Sequence, residues 1–303
     1  FDESSVELGL LLFILGSFCF ANSEAFYNSF LPDIATEDKF DSLSAKGFSM
    51  GYLGSSILLF VSLLMITFAD SIGISKGEAT RISFLMTGIW WAAFGSLTFL
   101  VLRERKSASQ NSTGGFSQLW KQVRLVQSLP VLSSFLLTFF FYNMGVQTII
   151  QEASDYGIKE IKVTSENLIA MIFVLQIVGI IGALIFAKIN EKKGEIFALK
   201  LAIGLWVLIV GYAWFNSTPA EFYVLGSGAG FLMGATQSTS RAFFSRLVPE
   251  GDGNATFFSF YSVVDKLAII GGTLCFGLIN ELTGSMRNSI LFLLIFFTIG
   301  FVL

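Results

Sequence analysis

The sequence contains no histidine, so His-ligated zinc sites, Ser-His-Asp or Cys-His catalysis and imidazole proton relays are all excluded within it. Any side chain that carries a proton across pH 5 to 8 must therefore be Asp or Glu. Charge is also scarce. Only 14% of the 303 residues are Asp, Glu, Lys or Arg, where a soluble domain carries about 25%. Net charge is −3 without a long basic run, which leaves no nucleic-acid footprint. The two cysteines, Cys19 and Cys275, lie inside apolar runs and read as small hydrophobes. The four prolines, Pro32, Pro130, Pro219 and Pro249, all fall where long apolar segments end.

What is present is apolar: 53% hydrophobic residues, 34 of them Phe, with a mean hydropathy of +0.71. Such a surface is suited to lipid. At about 20 residues per span, nine transmembrane segments are expected, over 6–30, 46–69, 82–102, 130–150, 165–187, 197–215, 221–245, 256–280 and 286–303. They are continuous apolar runs rather than alternating ten-residue segments, so they read as helices and not barrel strands. The loops after the first, third, fifth and seventh segments hold thirteen Lys and Arg against five in the others, which assigns the first set to the cytoplasm. The chain opens at Phe1 in an acidic stretch without a signal peptide's basic region, and it is expected to be the remainder of a longer protein. A basic, Ser- and Gln-rich segment over 103–129 divides three spans from six. The pattern predicts an all-α membrane protein: 1–102 as the remainder of an N-terminal helical bundle, 103–129 as a cytoplasmic linker and 130–303 as a C-terminal six-helix bundle. That is a six-plus-six transporter less its first three spans.

Three stretches carry a more specific resemblance. They are Phe26-Tyr27-Asn28-Ser-Phe-Leu31-Pro32-Asp33 with Lys46-Gly47-Phe-Ser-Met-Gly51-Tyr52-Leu-Gly54; Phe141-Tyr142-Asn143-Met-Gly145-Val-Gln147-Thr148; and Gln237-Ser-Thr-Ser-Arg241 through Pro249-Glu250-Gly with Phe257-Phe-Ser-Phe-Tyr261-Ser-Val-Val-Asp265-Lys266. In order along the whole chain, they resemble the autophagy-related vacuolar amino-acid effluxers and their bacterial relatives, a branch of the major facilitator superfamily. The resemblance implies a major facilitator fold with the nine helices as spans 4–12. It also implies that Ala187-Lys188-Ile-Asn-Glu191-Lys192-Lys-Gly194 is the short charged turn between spans eight and nine. There the usual Asp-Arg pair stands as Glu191-Lys192, a conformational latch without the bidentate arginine fork.

Polar residues at membrane depth are functional candidates because each costs about 2.5–3.5 kcal/mol to insert when charged. Asp265, nine residues into its span, lies roughly 14 Å deep at about 1.5 Å per residue and shares a face with Phe257 and Tyr261; Lys266 points about 100° away. Asp265 is a candidate proton-coupling carboxylate with Lys266 as part of an interdomain latch, or the two are structural neutralising partners. Glu24, on one face with Asn28, is a second protonation site or a residue of a wet vestibule. Asn143, Gln147 and Gln151 recur every four residues beside Tyr142, a stripe for solute binding in a cavity or for interhelical bonding. Gly226, Gly230 and Gly234 form a small-residue ridge for close helix packing or for sliding. Gln237 and Arg241 follow, Arg241 reaching a solute carboxylate or snorkelling to lipid phosphate.

Candidate substrate-binding residues are thus Asn28, Tyr142, Asn143, Gln147, Gln237 and Arg241. The expected function is a secondary active transporter, not an enzyme, that moves a small polar solute, with amino acids among the candidates, by alternating access with proton coupling. The alternative is a non-transporting scaffold, receptor or lipid-handling protein on the same fold. Partners are the solute, the lipid bilayer and protons; no nucleic acid, cofactor or metal is expected, and the chain is expected to be a monomer. The setting is a bacterial inner (plasma) membrane or, alternatively, a vacuolar one. Gly47-Phe-Ser-Met-Gly51 mimics a hydrolase nucleophile elbow without a strand or a histidine. Asn111, Asn216 and Asn254 head glycosylation sequons in loops or beside the membrane.

Overall fold

The computed structural model describes residues 5–102, 123–249 and 254–303. Among them are nine long helices: α1 Val6–Ser29, α2 Phe40–Thr67, α3 Lys76–Val101, α4 Pro130–Tyr156, α5 Ser165–Lys193, α6 Glu195–Ala213, α7 Pro219–Leu247, α8 Asn254–Thr283 and α9 Met286–Val302. Local chemistry sets their ends. Ser75 and Glu78 close a capping box at α3, and Thr218 with Glu221 closes another at α7, where Pro219 occupies the first turn and needs no N–H partner. Pro130 opens α4 in the same way. Gly194, at φ +83°, makes the tight turn from α5 into α6, a conformation that a side chain would strain.

Most helices outrun their apolar segments. The span expected over 46–69 begins at Phe40, the one over 82–102 at Lys76, and the one over 130–150 continues to Tyr156 and a further π turn at Gly157–Ile161. Caps and polar first turns, which a hydropathy window omits, carry each helix past the hydrocarbon boundary. The linker expectation over 103–129 falls largely on 103–122, outside the described residues, as does Asn111; a short helical turn occupies 123–127.

Seven helices, α1 to α6 and α8, are long and apolar enough to cross a membrane. The two others are α9, with 17 residues, and α7, with many Gly, Ser and Thr. The reason α7 departs from the hydropathy expectation is its position: more than half of its residues are buried by neighbouring helices, so it has little lipid to satisfy. By contrast α1 and α3 present large apolar side chains outward, among them Phe13, Phe84 and Phe99.

The core lies among α4 to α9. Trp206, Tyr142, Phe258 and Phe297 are almost fully enclosed there. The closest pair is α5 and α7: a Cβ on Gly230 would meet the backbone of Leu175, and one on Gly234 would meet the backbone of Gly179 and Ala183. α4 packs against α8 and α9, and α6 against α7 and α9. From the first three helices, α2 lies against α5 and α7, α1 against α8, and α3 against α2. Gly47 to Gly51 is helical throughout, within α2.

Candidate functional site

The polar residues of α1, α2, α4, α7 and α8 converge at the centre of the bundle. Asp265 is 8% exposed. Its Oδ1 accepts from Asn143 Nδ2 at 2.8 Å and from Gln147 Nε2 at 2.7 Å, so the four-residue spacing on α4 aims two amides at one carboxylate. Its Oδ2 accepts from Lys266 Nζ at 2.9 Å, and the same ammonium reaches Glu24 Oε2 on α1 at 3.1 Å. Lys266 thus joins a carboxylate on its own helix to one on a helix from the other end of the chain. Glu24 and Lys266 are each more than a third exposed, so this pair contacts open space while Asp265 does not.

The second half of the site is on α7. Tyr142 and Ser240 hydroxyls pair at 2.7 Å, and Gln237 Oε1 accepts from Tyr52 of α2 at 2.6 Å. Arg241, 4% exposed, turns inward instead of snorkelling. It donates from Nε to Ser44 Oγ at 3.0 Å, from Nη2 to the Ser44 carbonyl at 2.7 Å and from Nη1 to Asn28 Oδ1 at 3.1 Å. Its guanidinium carbon lies 4.4 Å from the Phe48 ring centre and 5.6 Å from that of Tyr27. Gly47 makes room for it, since a Cβ there would come within 2.8 Å of Nη2. Tyr261 stacks on Phe139 at 4.4 Å and completes an aromatic wall.

Two spaces meet these residues. A small cavity of about 40 Å³ is bordered by Asn143, Gln147, Gln237, Arg241, Tyr261 and Asp265. A wide groove of about 1890 Å³ is lined by Glu24, Tyr27, Phe48, Trp91, Phe99 and Arg241 among others. Glu24, Asn28, Phe48 and Arg241 border both. Among the described residues no group of three His, Cys, Asp or Glu side chains is placed to hold a metal ion.

A separate network joins the start of α2 to the turn between α5 and α6 and to the end of α7. Arg246 Nη2 donates to Asp41 Oδ2 at 2.6 Å and to the Glu37 carbonyl at 2.9 Å, while its other amino group pairs with Glu195. Asn190 Nδ2 bridges Asp41 Oδ1 at 2.9 Å and Thr239 Oγ1 at 3.1 Å. Asn254 and Asp33 meet nearby at 2.9 Å. Glu191 and Lys192 are exposed and stand outside this network: the contacts at their turn are made by Asn190 and Glu195, which face α2 and α7. Gly226 abuts Met171, and Gly230 and Gly234 abut the α5 backbone, so the ridge is buried in packing.

Sequence reasoning missed Asp41, Ser44 and Tyr52. Their signal was a polar stripe, Asp41, Ser44, Ser49, Tyr52 and Ser56, at helical spacing along one face of an apolar helix. Asn216, the sequon residue beside the membrane, is fully buried and so cannot accept a glycan.

The chain as a whole resembles known proteins. A family model described as "Vacuole effluxer Atg22 like" matches residues 1–303. A Bacillus subtilis (strain 168) protein named "Uncharacterized MFS-type transporter YxiO" is 30% identical over 299 residues, spanning 97% of this chain and 69% of its own length. Autophagy-related protein 22 of Kluyveromyces lactis is 26% identical over 96% of this chain, which covers 65% of that protein, just under two thirds. Among solved structures, the major facilitator superfamily transporter FucP in its outward conformation superposes with a TM-score of 0.61 at 13% identity, over 92% of this chain and 71% of that one. A bacterial homologue of the iron transporter ferroportin, in an outward-facing state, gives 0.54 at 12% identity, over 89% and 65%. These two likenesses establish the fold. With the family match over its full length, the chain belongs to the vacuole effluxer Atg22-like family of the major facilitator superfamily.

Proposed function

We propose that this chain is the larger part of a secondary active transporter that moves a small polar solute across a membrane by alternating access, with amino acids as the first candidates. In this reading all nine helices span the bilayer, 1–102 belongs to one bundle, 103–129 is the linker and 130–303 is the second bundle. The observation that carries it is the small volume of the cavity at the centre of a polar cluster. At about 40 Å³ it is far below the roughly 300–1,000 Å³ of a ligand pocket. A site walled by amides, aromatic rings and both signs of charge, yet collapsed, must open by relative motion of the helices around it.

The Arg246 network supports the same reading. It lies at the end that loop charge assigns to the cytoplasm, and it links α2 to α5, α6 and α7 across the helices expected to rock. At the opposite end the ion pair of Arg287 with Glu160 stays within the last six helices. Such an arrangement holds the cytoplasmic end shut. For proton coupling, Glu24 is the carboxylate of the groove that is bonded to Lys266, unlike Asp33 and Glu37 beside it, and Asp265 receives the consequence through Lys266. A proton on Glu24 would weaken its hold on Lys266 and with it the contact of α1 to α8.

Uptake of labelled amino acids into proteoliposomes holding the full-length protein, with and without an imposed pH gradient, tests the function; no flux of any candidate under either condition refutes it. The scaffold reading has one observation in its favour, that each side-chain nitrogen and oxygen of Asp265 and Arg241 has a hydrogen-bond partner, and it predicts that null result. The cellular membrane is proposed to be a bacterial inner membrane, with a vacuolar membrane as the alternative.

A further inference from the structure

We infer that Arg241 selects the charge of the solute: it receives an anionic group, a carboxylate or its equivalent, and in doing so releases the bonds that tie α7 to α1 and α2. The inference rests on the transport reading for the purpose of the cavity, but its test reads binding and does not need flux.

The comparison with Arg246, five residues along the same helix, is instructive. Arg246 closes one end of the molecule and is paired with two carboxylates, Asp41 and Glu195. Arg241 is more deeply buried, at 4% exposure, and bonds to neutral groups: the Asn28 amide oxygen, the Ser44 hydroxyl and carbonyl, and the Tyr27 hydroxyl. A buried guanidinium without a counter-ion in contact is costly. The carboxylates nearest in kind, Glu24 and Asp265, both bind Lys266, and Asp265 is further held by Asn143 and Gln147. The counter-charge of Arg241 is thus present in the neighbourhood but bonded to another cation.

The surroundings are built for exchange. Phe48 lies across one face of the guanidinium and Tyr27 beside it, which holds the planar fork in place while leaving its edge as the reactive surface. Gly47 leaves room at Nη2, where a Cβ would crowd both the guanidinium and the Tyr27 hydroxyl. Arg241 borders both the small cavity and the groove, and the groove is wide enough for an anion to reach it. An arriving carboxylate would offer two charged acceptors in the geometry of the fork, in place of the neutral oxygens of Asn28 and Ser44. Because those oxygens belong to α1 and α2, trading them for the solute loosens the contact across the cavity. Binding and opening then compete for the same donors.

The test uses thermal shift of the full-length protein in nanodiscs with three probes that share a phenyl group suited to the Phe139 and Tyr261 wall: phenylalanine, phenylalaninamide and 3-phenylpropanoate. Both carboxylates are expected to stabilise the protein and the amide is not. Arg241→Gln should weaken carboxylate binding by about 10- to 100-fold, the effect of losing hydrogen bonds to a charged group. Arg241→Lys, which keeps the charge without the fork, should retain the preference for acid over amide at lower affinity, and it decides the matter should Arg241→Gln fail to fold. Asn28→Ala, which cuts the tie alone, should tighten carboxylate binding, a change that a purely structural arginine would not produce. The inference is overturned if the amide binds as well as the acids, if no carboxylate stabilises the wild type, if folded Arg241→Gln binds like wild type, or if Asn28→Ala weakens binding. Arg241-dependent binding without flux would sink the transport reading and leave this anchor standing. Flux that persists unchanged in Arg241→Gln would do the reverse.

Discussion

The contact of α5 with α7 offers the most quantitative prediction. In Gly230→Ala the new methyl carbon would lie 2.8 Å from Leu175 Cα and closer still to the Leu175 carbonyl oxygen, where ordinary contact begins at 3.4 Å. Both sides of this clash are helix backbone, so no rotamer change relieves it and the two helices must separate. Overpacking of this kind costs typically about 1–3 kcal/mol, and a backbone obstacle puts it at the upper end. Against this, Ala gains about 1 kcal/mol over Gly in helix propensity. The net is a loss of about 2 kcal/mol, or roughly 4–8 °C in melting temperature at about 2–4 °C per kcal/mol. Gly277, on the outer face of α8, has no atom within 4 Å of a built Cβ, and its substitution by Ala should be neutral or mildly stabilising. Tryptophan-fluorescence melting of the purified full-length protein compares the two. Gly230→Ala melting at or above wild type would refute the close approach, and Gly234→Ala, which meets Gly179 and Ala183 across the same interface, should add less than its own separate cost.

Four further outcomes are expected. Asp41→Ala leaves Arg246 with Glu195 as its one carboxylate partner and removes a bond to Asn190, so the cytoplasmic end should open more often; faster thiol labelling of a cysteine placed at Ser245 would register it, and unchanged labelling would count against the gate. Glu24→Gln should abolish gradient-driven accumulation in proteoliposomes while solute exchange at equal pH continues; loss of both would assign Glu24 a structural or binding role instead. Tyr142→Phe removes only the bond to Ser240 and should cost about 1 kcal/mol of stability, since a net hydrogen bond is worth roughly that much. Asn216 is fully buried and neither side-chain polar atom has a partner, so Asn216→Leu should raise stability by about 1–3 kcal/mol; a fall in melting temperature would point to a buried water held there.

Much of the architecture was legible because hydropathy acts one segment at a time. The runs that became α1, α3, α5 and α6 needed only length and apolarity to be recognised, and Pro130 and Pro219 marked helix ends through backbone chemistry alone. The amide stripe on α4 was visible as a four-residue spacing. What it bonds to was not, because its partner is more than a hundred residues away in the chain. The same distance hid Tyr52 from Gln237 and Asp41 from Arg246. Adjacent charges misled in the turn between α5 and α6: Glu191 and Lys192 have the expected residue types, yet helix phase turns Asn190 inward and leaves those two outward.

The sequence by itself determined that this chain is helical and made for lipid, and that no histidine lies within these 303 residues. Periodicity and composition are properties of single segments, and they suffice for that. Only the tertiary structure decided that Arg241 points inward, that Lys266 divides its bonds between Glu24 and Asp265, and that α7 is polar because neighbouring helices shield it from the bilayer. Each of these depends on which helix faces which, and in a bundle that choice is made by contacts between residues far apart in the chain, the Gly230 and Leu175 approach foremost among them.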